Sequence, residues 1–125
     1  MEFAIVTVFG GAGFVGRYVV AALARAGARV RVACRRPEDG HRLKPMGDVG
    51  QVTTVAANIR IDASVQAAVA GSDTVINLVG ILFERGRQTF RAVHTDGAGR
   101  IARLAAAAGV RRLIHVSAIG AENSS

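Results

Sequence analysis

The chain has 125 residues, half of them apolar and 20% charged, with 15 Gly against 2 Pro; this composition describes one globular domain and excludes a disordered tail or a collagen-like fibre. A domain of this size buries roughly two-thirds of the surface its unfolded chain exposes, so it can build a core without disulfides, and the single Cys34 could form none within the chain. Sixteen basic against nine acidic residues leave a net charge of +7, which attracts phosphate-bearing cofactors, nucleic acid and anionic lipid alike.

The first apolar run, Phe3 to Phe9, is short, rich in β-branched residues and ends in glycine, as a central parallel strand should. A helix follows with Val15, Val19, Leu23 and Ala26 on one stripe, and Gly27 is placed to end it. Residues 29–34 read as a second strand. Pro37 to Gly50, with two Pro and three Gly, reads as a loop with at most a short helix. Val52 to Ala56 is a third strand. Asp62 or Ser64 is positioned to cap a short helix carrying Val65, Ala68 and Val69, which Gly71 ends, and Asp73 suits a turn. Thr74 to Val79 is a fourth strand. The longest helix is expected over 88–108 on the stripe Phe90, Val93, Gly97, Ile101, Leu104 and Ala108; Gly109 stops it, and residues 112–116 form strand five.

Strands alternating with helices over the whole length make an α/β domain with a parallel sheet covered on both faces. Right-handed crossovers give strand order 3-2-1-4-5, a Rossmann-type doubly wound sheet truncated after strand five, with the ligand crevice where strands one and four diverge. Residues 1–125 are expected to be one domain, the amino-terminal portion of a longer protein. No apolar run approaches the ~20 residues of a bilayer-crossing helix, and Met1-Glu2-Phe3 lacks the basic start of a signal peptide, so the expected location is the cytoplasm. Fifteen of the basic residues are Arg and one is Lys44, in an Ala-rich chain; that bias fits a GC-rich genome, and the high isoelectric point carries little weight.

The segment after strand one, Gly10-Gly11-Ala12-Gly13-Phe14-Val15-Gly16, fits G-x-G-x-x-G through Gly11, Gly13 and Gly16 and G-x-x-G-x-x-G through Gly10, Gly13 and Gly16. It lies between an expected strand and an expected helix, the context that gives the motif meaning. Glycines there allow a tight turn and a close approach of backbone to pyrophosphate, which free N–H groups at the helix start then hold. The competing reading is a plain glycine-rich turn.

With this loop in place, the sequence resembles the short-chain dehydrogenase/reductases, particularly the extended and atypical branches that include sugar-nucleotide epimerases and dehydratases. Asn58-Ile59 stands where that superfamily contacts adenine, and Asn77-Leu78-Val79-Gly80 where it lines the nicotinamide ribose. Val93-His94-Thr95-Asp96-Gly97 is similar to its Val-Asn-x-x-Gly, with His94 replacing Asn, and Arg112 to Ser117 is similar to the strand bearing its catalytic Ser or Thr. More narrowly, Phe9 to Gly16, Asn77 to Leu82 and His115 to Ala121 resemble the nucleotide-binding accessory subunits of respiratory complex I and their bacterial relatives. That likeness implies complex I subunits as partners and a peripheral place at the inner membrane.

Proteins of this fold that take NAD usually end strand two with an acid bonded to the ribose 2′-OH. Here Cys34 is followed by Arg35 and Arg36, whose guanidinium groups suit a 2′-phosphate, so NADP(H) is favoured and NAD(H) stays open. A solvated basic turn, or pairing with Glu38 or Asp39, is the alternative for these arginines.

The superfamily's chemistry uses a Tyr followed four residues later by Lys. The only tyrosine, Tyr18, has Ala22 at that spacing and reads as a packing or surface residue. Ser117 is one residue out of register with the family's catalytic Ser, that place falling to Ala118; it touches the nicotinamide end or simply closes the strand. No catalytic residue is therefore assigned beyond Ser117 as a candidate. His41, His94 and His115 lack metal-ligand spacing, so no metal site is expected, and His115 is read as a satisfied core or edge imidazole. Arg85, Arg87 and Arg91 follow strand four and meet a small anionic substrate or, as the plainer reading, solvent. Two functions stand: a structural or regulatory dinucleotide-binding domain, or the cofactor half of an epimerase, dehydratase or reductase. Nucleic-acid binding ranks last because the arginines are scattered and aromatics make up only 5%. An open edge on strand five would invite self-association.

Overall fold

The computed structural model describes residues 4–11, 13–79 and 87–116. Five strands, β1 (Ile5–Phe9), β2 (Arg29–Cys34), β3 (Val52–Ala56), β4 (Thr74–Asn77) and β5 (Arg112–His115), form one parallel sheet in the order β3-β2-β1-β4-β5. The helices are α1 (Phe14–Arg25), α2 (Asp62–Val69) and α3 (Arg87–Ala107). β1 and β4 are buried on both faces and read as short apolar runs, while β2 alternates Arg with Val and β3 is a β-branched edge strand, signals that made all four legible to within two residues. β1 lies in the middle because its two edges take β2, with Val6 beside Val30, and β4, with Val6 beside Thr74.

Alternation along the strands divides the core into two layers. Val6, Val8, Val30, Val32, Val52 and Ile76 face α1, while Phe9, Ala33 and Val75 face α2 and α3, whose Val65, Val69, Ile101 and Leu104 close that side. The glycines expected to end the helices do so: Gly27, Gly71 and Gly109 each take positive φ.

Several expectations are corrected. The inward line of α1 is Gly16, Val20 and Ala24, flanked by Val19 and Leu23, and Ala26 is exposed. Small residues face the sheet because the helix sits close upon it. Ala105, not Ala108, completes the buried face of α3. The segment read as a loop is a run of 3-10 turns over Pro37–Met46, starting at a proline, which suits a first turn, and fastened by Leu43, which is fully buried in the α1 layer. Neither Asp62 nor Ser64 caps α2. Its N-cap is Ile61, without a side-chain bond, because both polar groups have other partners. Asp62 accepts from Arg100 at 2.6 Å and Arg103 at 3.0 Å, and the Ser64 hydroxyl accepts the Asn58 N–H at 2.7 Å. Strand β5 is not a buried strand: all four residues are exposed, Leu113 and Ile114 among them, so His115 is an edge imidazole. With only β4 beside it among the described residues, β5 lacks the second neighbour that buries an inner strand.

Candidate functional site: the glycine loop and the cleft beside it

Close approach of backbone to backbone dictates most of the loop between β1 and α1. Gly10 takes φ +84°, and a Cβ there would stand 2.9 Å from the Leu78 carbonyl carbon. At Gly11 a Cβ would meet methyls of Val8 and Val32 at 3.2 Å, and at Gly16 it would overlap the Gly11 carbonyl. Gly10 therefore makes the turn, while Gly11 and Gly16 let helix rest on strand. Gly13 differs. Its φ of −79° is open to any residue, and an added Cβ would meet only the Gly10 carbonyl oxygen, at an ordinary 3.5 Å. Nothing among the described residues requires glycine at position 13.

The first intrahelical bond of α1 runs from the Arg17 N–H to the Gly13 carbonyl at 3.2 Å, so the amides of residues 14–16 have no partner within the helix. Gly13 offers no side-chain cap, and the first turn holds no acid. These bare donors at the positive end of the helix dipole make an anion seat.

Beside the loop, on the carboxyl rim of the sheet, opens a cleft of about 320 Å³ lined by residues from β1, β2, the β3–α2 loop and the end of β4. It joins five of the expected site residues: Gly10, Arg35, Asn58, Ile59 and Val79. Ala57 is held by its N–H to the Cys34 carbonyl at 2.8 Å, and Asn58 Oδ1 accepts the Arg60 N–H at 2.9 Å, so the β3–α2 loop is fixed from both sides. Arg100 donates to the Ile59 carbonyl at 2.7 Å, and Gly97 lets α3 close on Ile59, since a Cβ there would stand 2.6 Å from Cδ1.

The other expected residues fall elsewhere. Arg36 is outside the cleft, with its Nε 3.9 Å from Asp39 Oδ2. The Leu78 side chain is buried in the α1 layer; its backbone packs on Gly10 and its N–H bonds the Phe9 carbonyl at 2.8 Å. Val15 is half-buried in the first turn of α1. Ala12, Gly80 and Ser117 lie outside the described residues, as do the side chains of Phe14, Arg87, Arg91 and His94 and all of Arg85. Tyr18 is exposed on α1. Among the described residues no three His, Cys, Asp or Glu side chains are grouped to hold a metal ion.

Three cleft groups escaped the sequence reading: Cys34, Asp39 and Arg60. Arg60 follows Asn58 by two positions on the same rim, and that placement was the available signal. The Cys34 thiol donates to the Arg36 carbonyl at 3.2 Å, and burial, with the nearby Asp39 and Glu38 carboxylates, pushes its pKa up against a weaker opposing bond from the Gly40 backbone. It is a neutral thiol at physiological pH. Deeper in, buried Asn77 accepts the Val79 N–H through Oδ1 at 3.0 Å, so its Nδ2 must donate to His115 Nδ1 at 3.1 Å. That fixes Nδ1 as the unprotonated nitrogen of the ring. A larger hollow, about 580 Å³, opens where α1 ends and β2 begins, but it contains no part of the glycine loop.

A dinucleotide fits these parts: bare amides and an unobstructed Gly13 for the diphosphate, and a cleft of nucleoside size for the adenosine end. A family model described as NAD(P)H-binding matches residues 10–125. The chain belongs to that family. It is 41% identical over 123 residues to the mitochondrial NADH dehydrogenase [ubiquinone] 1 alpha subcomplex subunit 9 of Arabidopsis thaliana, covering 97% of this chain and 31% of that protein. With the mitochondrial NADH-ubiquinone oxidoreductase 40 kDa subunit of Neurospora crassa it shares 40% identity over 119 residues, 95% of this chain and 32% of the other. The chain thus spans about a third of the length of these relatives. A short-chain dehydrogenase/reductase structure from Veillonella parvula superposes with a TM-score of 0.68 over 93% of this chain and 48% of its own, at 19% identity, which is a likeness of fold. No helix among the described residues is long and apolar enough to cross a membrane.

Proposed function

We propose that residues 1–125 serve as a dinucleotide-binding domain that prefers NADP(H) and uses it for a structural or regulatory purpose. The observation that carries the binding mode is Gly13, which the fold does not need and a diphosphate lying on the backbone does. The anion seat takes the diphosphate and the walls at Asn58 and Ile59 take adenine. Arg35, at the end of β2 where NAD-binding relatives of the fold carry an acid, meets the 2′-phosphate. Val79, which lines the cleft beside Gly10, then stands on the way to the nicotinamide ribose, the place that the family resemblance gives to Leu78, Val79 and Gly80; His94 is a further cofactor-binding candidate. Asp39 in the cleft is the observation favouring NAD(H), because a carboxylate there can accept from a ribose 2′-OH. Its neighbour Arg36 opposes that charge.

Similarity to subunits of mitochondrial NADH dehydrogenases supports partner subunits of such a complex and a peripheral place at the membrane. The coenzyme's role would then be to hold the domain folded. A ligand at 100 times its Kd stabilises by about 2.7 kcal/mol, enough to move a melting midpoint by several degrees.

Parallel calorimetric titrations with NADPH and NADH test the reading. NADPH should bind at least about tenfold more tightly, Arg35→Ala should erase the difference, and Gly13→Val should abolish both titrations while the melting midpoint stays within a few degrees. Equal affinities end the NADP(H) preference, and a Gly13→Val protein that still binds ends the diphosphate assignment. Consumption of NADPH with a small-molecule substrate would replace the structural role by an enzymatic one.

A further inference from the structure

We infer that Arg60, in the loop between β3 and α2, is the second cation for the adenosine 2′-phosphate and hence a specificity-determining residue. The inference rests on the NADP(H) reading above. The sequence pairs Arg35 with Arg36, but the structure separates them. Arg35 lines the cleft, whereas Arg36 stands outside it beside Asp39. Arg60, in the loop after the neighbouring strand β3, lines the same cleft. Its backbone is held by Asn58 Oδ1, and Asn58 is itself anchored by the Ser64 hydroxyl. The side chain is exposed and makes no hydrogen bond or ion pair with any described residue, in contrast to Arg31, Arg100 and Arg103, whose guanidinium groups are bound to other parts of the chain. Arg60 is therefore a free guanidinium on a fixed stem.

Charge balance favours a second cation. Asp39 shares the cleft and Arg36 only partly offsets it from outside, at 3.9 Å between two exposed groups, so Arg35 alone leaves the lining weakly cationic at most for a dianionic phosphate. Arg60 makes the lining more strongly cationic. Two guanidinium groups lining one cleft can each take phosphate oxygens through charge-assisted bonds.

The test compares Kd values for NADPH and NADH by calorimetry in the wild-type protein and in Arg60→Ala, Arg60→Lys and Arg36→Ala. Arg60→Ala should weaken NADPH about tenfold and change NADH by less than about twofold, with Arg60→Lys recovering part of the loss and Arg36→Ala costing NADPH less than Arg60→Ala does. If Arg60→Ala weakens both coenzymes equally, the side chain acts on adenine or on the loop, and the inference falls. It falls also if Arg60→Ala changes neither. A wild-type protein with no NADPH preference refutes the reading beneath the inference, and that result is seen before any variant is made.

Discussion

The two rims of the sheet treat their unpaired backbone groups in opposite ways. On the amino rim, where α1 and α2 end, side chains donate to the carbonyls: Gln51 Nε2 to those of Ala24, which also takes the Gly27 N–H, and Ala28, and Arg31 to those of Ala68 and Ala70. The Thr7 hydroxyl also donates to the Ala68 carbonyl, and Asp73 accepts the Ile5 N–H at 2.8 Å. On the carboxyl rim, no described side chain caps the first amides of α1, and the neighbouring cleft holds Arg35 and Arg60, which have no hydrogen-bond or ion-pair partner among the described residues. Stability is concentrated at one end and unsatisfied polar capacity at the other. A domain built to bind an anion leaves its donors open at the site and satisfies its backbone elsewhere.

The largest expected effect falls where the two ends meet, at the contact of helix and strand. Gly16→Ala should destabilise by about 3 kcal/mol or more and remove coenzyme binding, because backbone atoms of Gly11 occupy the space. Gly99→Ala, in the middle of α3 with nothing within 4 Å, should instead stabilise by roughly 0.5–1 kcal/mol. Urea midpoints of the two variants give the contrast directly. Next comes the amino rim. Arg31→Met should cost about 0.5–1.5 kcal/mol by removing a donor from the Ala68 carbonyl, which keeps Thr7, and from the exposed Ala70 carbonyl, yet leave NADPH affinity within about twofold, since Arg31 does not line the cleft. A matching loss of affinity would show that the rims are coupled.

Smaller effects sharpen the contrast. Cys34 should react with a disulfide reagent several-fold more slowly than a free thiol at neutral pH, and more slowly still with NADPH bound, because its thiolate is disfavoured and it lines the cleft. Protection absent at saturating NADPH would move the adenosine end away from β2. The smallest concerns Asp62, whose carboxyl is held below its ordinary value by hydrogen bonds from Arg103 and Arg100. A lowered folded-state pKa gives stability that is present above the unfolded value and lost as pH falls through the folded one. The melting midpoint of Asp62→Asn should therefore lie slightly below wild type above pH ~6, and the difference should shrink as pH falls, flattening the acid limb.

Strands β1 to β4 and the helix-ending glycines were legible because each rests on a local signal: an apolar run, or a left-handed turn after a helix. The glycine loop was legible for the same reason. What escaped depended on partners distant in sequence. Ser64 and Asp62 read as caps until the Asn58 amide and two arginines of α3 claimed them. Leu43 was not singled out in the segment Pro37 to Gly50, and it is the packing against α1 and the sheet that makes it core. Arg36 and Arg60 exchanged significance because the turn after β2 carries one away while the loop after β3 brings the other in. The exposure of β5 followed from its place at the end of the sheet, which its apolar composition concealed.

The strand order has a consequence for assembly of the chain during synthesis. β1 finds its first neighbour in β2, beginning at Arg29, but its other edge is filled only by β4, beginning at Thr74. Once β1 to β3 have emerged and paired, the most apolar strand of the molecule still presents an open ladder to anything that can add to it, until some twenty further residues leave the ribosome. Pairing segments so far apart costs more loop-closure entropy than pairing β1 with β2, and any delay between residues 56 and 74 lengthens the interval of exposure.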